Sequence, residues 1–516
     1  MAGLQGAGRR EGIGIGAQRP PAPAGGWPWP DPLQSMACAW DICRALWLDP
    51  ADLAKVARRR LSLLATHARK HSPFYRERLA RFPDEGPVQL QEIPVLDKRT
   101  LMSEFDRVLT DDTVRQDALR GFLADPQQVG RPFGQGCAVW TSSGTSGEPG
   151  IFVHDPQALA VYDALQLFRF RGASATWTGA VAPLAMGRYA LVAATGGHFA
   201  GAASVERLRL LFPWLAPMMR VISLMQPLPA LVAELNKYAP DVIATYPTMA
   251  VQLAREQEAG RLAIAPTQIW TGGETLSPLS RELLECVFGA TVREEYGTSE
   301  FPSVAVGCSA GWLHVNADWV LLEPVDERFR PVEPGRPSHS VLLTNLANRL
   351  QPLIRYDLGD CVTVRPGICE CGSRLPAIRV QGRRDEPLEL RAPSGKAVAL
   401  LPLALTTVLE EGAGLYDFQL VQTGARRLCL HVGTAQADRA EPARQALASY
   451  LARMGLDAVH IEFGSALPQR SAGGGKLRRV LRASQAGRSR PDRGSAQQHD
   501  LNPGEENAPG PIDGTA

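Results

Sequence analysis

Disulfides, membrane spans and a dominant charge are all missing from this sequence. Nine cysteines in 516 residues are odd in number and too sparse for a covalent framework. With no signal peptide and no long apolar run, a reducing cytoplasm is the expected compartment and no membrane partner is expected. The charges nearly cancel, 55 Lys and Arg against 53 Asp and Glu, leaving a formal net charge of +2. That balance gives no global electrostatic reason to bind nucleic acid or an acidic lipid surface. No internal repeat is visible. What is present is a soluble composition, 45% hydrophobic and 21% charged, in a chain long enough for one large domain and a smaller one.

Composition shifts divide the chain. Residues 1–35, rich in Gly, Ala, Pro and Arg, show no apolar periodicity and are expected to be a disordered extension ahead of Met36. From there to Leu79, Leu and Ala recur at helical spacing and end in Ser72-Pro-Phe-Tyr-Arg76, which predicts a helical leading segment. Between Gly136 and Gly382, apolar runs such as Val181-Ala-Pro-Leu184, Asp241-Val-Ile-Ala244 and Ile269-Trp270 alternate with amphipathic stretches such as Leu228 to Tyr238 and Ser280 to Phe288. This is α/β patterning. After Gly382-Arg-Arg-Asp-Glu386, strand signals at Phe418-Gln-Leu-Val421 and Leu428-Cys-Leu-His-Val432 and a helical signal from Glu441 to Met454 read as a small α+β lobe. The expected organisation is therefore a large α/β domain over 36–382, a small C-terminal domain over 383–482, and a polar, Pro- and Gly-rich tail over 483–516. The arginines at the start of that tail read as a solvated segment rather than a nucleic-acid arm.

The most informative run is Thr141-Ser-Ser-Gly-Thr-Ser-Gly-Glu-Pro-Gly150. Its glycines free the backbone to turn and present N–H groups, and Thr141, Ser142, Ser143, Thr145 and Ser146 add hydroxyl donors, a set that suits the oxygens of a polyphosphate such as ATP. Taken alone it also suits a flexible Ser/Gly linker. It lies, however, between Cys137-Ala-Val-Trp140 and Ile151-Phe-Val153, which read as two strands joined by a tight loop. It is not the Walker A pattern, because Glu148 and Pro149 follow Gly147 where Lys and Ser or Thr belong.

Five further signals follow in order. Trp270-Thr-Gly-Gly-Glu274 is a glycine turn after an apolar strand, suited to lining a base pocket or to a plain strand exit. Glu295-Tyr-Gly-Thr-Ser-Glu300 offers a flat tyrosine face for a base and, in Glu300, a hard oxygen ligand for Mg²⁺; a structural turn is the other reading. Tyr356-Asp-Leu-Gly-Asp360 places an acid at a strand end, where it can accept from both ribose hydroxyls or serve as a turn aspartate. Gly382-Arg-Arg-Asp385 sits at the domain joint, and Gly473-Gly-Gly-Lys-Leu-Arg-Arg479 carries a lysine on a glycine-rich loop.

In this order and spacing the motifs resemble the adenylate-forming superfamily of acyl-CoA synthetases, and within it the phenylacetate–CoA ligase and coenzyme F390 synthetase branch. The resemblance runs from Ser72 to Val480. It implies an α/β fold, a large adenylate-forming domain of mixed sheets and helices with a small mobile α+β C-terminal domain. Thr141, Ser142, Ser143, Gly144, Thr145, Ser146 and Gly147 match the family's phosphate loop; Glu295, Tyr296, Gly297, Thr298, Ser299 and Glu300 match its Tyr-Gly-x-Ser/Thr-Glu motif. Gly273 and Glu274 fall at the adenine pocket, Asp360 at the ribose, Arg383 beside ribose or phosphate, Asp385 at the hinge, and Lys476 at the C-terminal catalytic lysine. Two departures stand out. Glu148 occupies a place where this branch often has Lys, setting a carboxylate near a triphosphate, and Asp385-Glu386 replaces the usual pair of aspartates.

The chemistry this resemblance implies is attack of a carboxylate on the α-phosphorus of ATP, with release of pyrophosphate, then displacement of AMP by the thiol of coenzyme A. Lys476 and Glu300 would be the catalytic pair, Glu300 near Mg²⁺. An aromatic or arylacetic acid is the implied substrate, with His198 and Tyr246 in its pocket. The rivals are an adenylate-forming enzyme with a non-CoA acceptor, either an adenylyltransferase or a biosynthetic ligase joining the activated group to a nitrogen nucleophile, and a non-catalytic nucleotide-binding or partner-binding protein, which the retained Glu300, Asp360 and Lys476 oppose. A monomer or homodimer is expected. Cys308, His314, Cys369 and Cys371 form a second set: three thiolates and an imidazole make a closed tetrahedral site for structural Zn²⁺, while buried cysteines and a strand histidine are the plainer reading.

Overall fold

The computed structural model describes residues 27–28, 31–83, 88–142, 149–170, 187–274, 276, 278–380, 388–400, 402–415, 418–468 and 479–483. The fold begins earlier than position 36. Trp27 is buried and its indole N–H donates to the Gly130 carbonyl at 2.7 Å. The helix Pro32–Ala45 opens at Asp31, whose carboxylate accepts from Leu33 N–H at 3.0 Å. Two further helices, Pro50–His71 and Pro73–Arg78, complete the leading segment, and each of the three starts with proline behind an Asp or Ser cap. Proline is preorganised for the first helical position and its missing N–H is one the helix could not use. The expected boundary was wrong because a Pro-rich composition hid a capping signal.

The centre is a nine-stranded sheet among the described residues. Its order is Val362–Val364, Ala377–Val380, Leu313–Val315, Ala305–Gly307, Thr291–Tyr296, Gln268–Gly272, Val242–Thr245, Tyr189–Ala193 and Met219–Ser223. The last five run parallel, with Val242 opposite Gln268 and Gln268 opposite Thr291; the first four are antiparallel additions. Helices Leu228–Tyr238, Pro247–Glu258 and Pro278–Phe288 alternate with the parallel strands, and strand Val242–Thr245 is buried along its whole length. A strand covered on both faces is mostly apolar, which is why the Asp241–Ala244 run was legible; the Val181–Leu184 run lies outside the described residues. The hairpin Ala138–Ser142 with Gly150–His154 and a three-stranded sheet of Val320–Val325, Ser340–Asn345 and Tyr356–Asp357 pack beside it. One apolar core joins Tyr75, Trp140, Phe152, Phe301 and Leu343, each side chain contributing about 1.5–3 kcal/mol through burial.

From Leu388 on, the chain forms the hairpin Leu388–Arg391 with Ala397–Leu400 and a four-stranded sheet ordered His460–Phe463, Arg427–Val432, Phe418–Gly424, Val480–Arg482, with helices Pro402–Ala413 and Ala440–Arg453 packed on each other. Its buried Leu409, Phe418, Leu430 and Leu447 share one apolar cluster with Ala190, Val192 and Ile243 of the large sheet. Among the described residues no helix is long and apolar enough to cross a membrane.

Candidate active site

The stem of the glycine loop and the Tyr296–Glu300 turn meet. Thr141 and Ser142 end one hairpin strand and pair with Ile151 and Gly150 on the other. Gly150 N–H donates to Ser142 Oγ at 3.3 Å, and Ser299 Oγ donates to the Thr141 carbonyl at 3.2 Å. Ser143, Gly144, Thr145, Ser146, Gly147 and Glu148 lie outside the described residues.

The turn itself is tightly held. A Cβ on Gly297 would run into the Pro302 carbonyl, so only glycine fits there. Thr298 spends its hydroxyl on the turn, accepting from Phe301 N–H at 3.2 Å. Beneath it runs a buried hydrogen-bond relay with a fixed direction. Asn345 Nδ2 donates to the Tyr162 hydroxyl at 2.8 Å, which leaves that hydroxyl to donate to His154 Nδ1 at 3.1 Å and His154 Nε2–H to donate to the Ser299 carbonyl at 3.0 Å. Asn345 also donates to the Glu300 carbonyl at 2.9 Å. Burial lowers the His154 pKa to about 3, so the ring is neutral, as the relay requires. Glu300, itself buried, is among the residues that line the cavity.

Tyr296 O–H donates to Asp360 Oδ2 at 2.8 Å, joining the second and third motifs. Asp360 follows Gly359, whose φ of +67° only glycine adopts freely, and Asp357 Oδ1 accepts from Gly359 N–H at 2.9 Å. The Ser72-Pro-Phe-Tyr75 segment buttresses this stretch from behind, Tyr75 O–H donating to the Pro352 carbonyl at 2.8 Å and accepting from Ile354 N–H at 3.2 Å. Gly273, at φ +79°, lets the Tyr246 ring approach; Tyr246 and Glu274 line the same cavity, and burial raises the tyrosine pKa.

These groups surround one cavity of about 1070 Å³. Two expected site residues are placed differently from the sequence reading. Glu295 lines the cavity together with Tyr296, but its carboxyl is engaged by neighbouring side chains. Its carboxyl accepts from Gln166 Nε2, with Ser303 as a second partner, and burial pushes it up to about 7. His198 is 2% exposed and packs against Phe122, ring centroids 5.2 Å apart, and is not among the described residues lining the cavity; its neighbour Phe199 is. What His198 supplies to the site is its carbonyl, which accepts from Thr141 N–H at 2.9 Å.

The four Cys and His residues do converge. The Cys308, Cys369 and Cys371 thiol sulfurs and a His314 ring nitrogen lie within 4.8 Å of one another. His314 Nδ1 bonds the Leu375 carbonyl at 3.1 Å, which places the proton there and turns the Nε2 lone pair toward Cys371 Sγ, 3.1 Å away. Three sulfurs and one preoriented imidazole fit a tetrahedral zinc set with its outer hydrogen bond already made.

Fold and cavity together define an α/β protein with the adenylate-forming ligase fold. Its similarity is to solved structures of 2-hydroxyisobutyryl-CoA ligase: with 2-HIB-AMP and CoA in the thioesterification state the TM-score is 0.54 at 21% identity, covering 85% of this chain and 91% of that one. In the postadenylation state with 2-HIB-AMP the TM-score is 0.51 at 20% identity, covering 86% and 92%. Protein CapK of Staphylococcus aureus is 25% identical over 260 residues, 48% of this chain and 54% of CapK, so the match spans about half of that relative. No protein-family profile matches the sequence.

Arg383, Asp385 and Lys476 lie outside the described residues. Sequence reasoning missed His154, Tyr162, Asn345 and Gln166, which carry no motif. The one available signal was Asn345 itself, a polar residue two positions after the apolar run Val341-Leu-Leu343.

Proposed function

We propose that this protein is an AMP-forming acid–thiol ligase, which activates a carboxylic acid with ATP to an acyl adenylate and transfers the acyl group to coenzyme A. The observation that carries the reading is the convergence of the loop stem at Thr141, the turn ending at Glu300 and the Tyr296–Asp360 pair on a single cavity. In this reading the loop N–H groups meet the β and γ oxygens, Asp360 accepts from the ribose hydroxyls, and the Gly273–Glu274 turn with Tyr296 frames the adenine. Glu300 offers the hard oxygen that Mg²⁺ takes, and the ion when bound would offset charge on the phosphates. Arg383 contacts ribose or phosphate, Asp385 is the hinge about which the small lobe turns, and Lys476 bridges the acid and the α-phosphate. Zinc at Cys308, His314, Cys369 and Cys371 is structural, since four protein ligands leave no open position.

The substrate is an aromatic or arylacetic acid. In support, Phe170, Tyr189, Phe199, Tyr246 and Trp270 line the cavity. The test is pyrophosphate release from Mg-ATP over a panel of aromatic, arylacetic and aliphatic acids, with and without coenzyme A. Turnover that needs both an acid and coenzyme A is the expected result; acid-dependent release that ignores coenzyme A would replace the thiol by another acceptor, and silence would defeat adenylation. Lys476→Ala should slow adenylation by roughly a hundredfold, about 3 kcal/mol, with ATP binding nearly intact. Unchanged pyrophosphate release in that variant would remove the lysine from this role.

A further inference from the structure

One polar group in the cavity wall is left without work by this function. Glu295 and Gln166 both line the cavity, beside Phe170, Tyr189 and Trp270. The three rings form a corner: Phe170 meets Trp270 edge to face at 4.6 Å, and Tyr189 meets it at 5.5 Å. A carboxyl in such surroundings is costly unless it has partners. Gln166, on the helix Pro156–Phe168, and Ser303 supply two donors, yet a carboxylate can accept about four hydrogen bonds. Simple bridging of helix to strand would be served at lower cost by an apolar pair. We infer that Glu295, positioned by Gln166, is the specificity determinant of the acid pocket and selects an aromatic carboxylic acid bearing a hydroxyl or amino donor on its ring. The flat ring stacks in the Phe170–Trp270–Tyr189 corner, and its N–H or O–H donates to the Glu295 carboxyl. An unsubstituted ring would leave that carboxyl facing apolar atoms, and sites built on a buried hydrogen bond reject the analogue lacking it far more strongly than apolar pockets reject a missing methylene.

The inference rests on the ligase reading, and the experiment separates the two. Calorimetric binding of the ring isomers of hydroxybenzoate, aminobenzoate and hydroxyphenylacetate is compared with that of benzoate and phenylacetate, alongside pyrophosphate release from Mg-ATP. At least one donor-bearing acid should bind about tenfold or more tightly than its parent. Glu295→Leu should erase that difference. Should Glu295→Leu fail to fold, Gln166→Leu reads the same difference in a variant that keeps the carboxyl. Parent acids bound as tightly as substituted ones, discrimination that survives in the variant, or no binding of any ring acid would each overturn the inference. Turnover of unsubstituted or aliphatic acids alone would overturn it and leave the ligase reading standing. Selective binding without pyrophosphate release would uphold it and defeat the ligase reading.

Discussion

At the scale of single residues, two buried titratable groups act on stability with opposite signs. Glu295 has a pKa raised to about 7 by burial, so between the ordinary carboxylate range and about 7 the folded chain holds a proton the unfolded chain has released. Its contribution is complete in acid and is lost as pH rises toward and through 7. Denaturant midpoints at pH 5 and pH 8 should therefore show Glu295→Gln gaining on the parent protein at the higher pH; equal differences at both would refute the assignment. His154 runs the other way. Its pKa is held near 3, so its contribution is complete above the ordinary imidazole value and drains away as pH falls toward 3, where the unfolded chain is protonated first. His154→Phe leaves the Ser299 carbonyl and the Tyr162 hydroxyl without their partner, at a cost of about 1–3 kcal/mol at neutral pH. As a positioning change it should lower kcat for pyrophosphate release more than it weakens ATP binding, and a loss confined to stability would leave His154 no part in aligning the turn. Neither role was legible in the sequence. Glu300, Tyr296 and Asp360 sit in short recognisable strings, whereas His154 acts on Ser299 across 145 positions and Gln166 on Glu295 across 129. Only folding brings such pairs together.

At the scale of elements, the sequence was most readable where the apolar period ran over several turns. Leu228 to Tyr238 was predicted and found as a helix with those bounds, its apolar face carrying buried Leu231, Val232 and Leu235. The parallel strand Val242–Thr245 was equally plain, because burial on both faces favours an apolar run, whereas Thr291–Tyr296 carries three charged residues. Less readable were the short antiparallel strands Ala305–Gly307 and Leu313–Val315, only three residues each, too few to show a period. Their spacing of Cys308 and His314 was the better signal. Cys308 follows one of these strands and His314 is on the other, while Cys369 and Cys371 come from the turn before Ala377–Val380, which pairs with Leu313–Val315. Bound zinc would lock three strand ends that are too short to hold one another firmly. Purified protein should contain about one zinc per chain by elemental analysis, and Cys371→Ser should lower that content and the thermal midpoint together. Unchanged zinc in the variant would dismiss the site.

At the scale of the whole molecule, the small lobe is seated on the large one through a contact that needs glycine. Helix Pro402–Ala413 brings Glu411 against Gly196 and Gly197, so closely that a Cβ on either would fall on the glutamate carboxylate. The preceding residue, Glu410, is buried in an ion pair with Arg479, which ties the same helix to the last strand of the lobe. Removing one partner of such a pair leaves a buried charge, whereas the pair as a whole adds little net stability. Glu410 thus joins the helix to Arg479 within the lobe, while Glu411 and the shared apolar cluster lie at the contact with the large domain. Gly197→Val places a branched side chain where Glu411 rests, and the helix must move away. Amide hydrogen exchange should then accelerate by about tenfold or more within Pro402–Ala413 while Pro50–His71, whose buried face belongs to the other apolar core, stays protected. The reciprocal change Glu411→Ala, which opens space at the same contact, should restore part of that protection when combined with Gly197→Val. Protection unchanged in Gly197→Val, or loosening of both helices alike, would show that the lobe is held elsewhere. The Gly196-Gly197 pair stands in the sequence beside His198, but its partner lies 214 positions on in a different lobe, and nothing short of the assembled fold reveals that the glycines make room for a carboxylate.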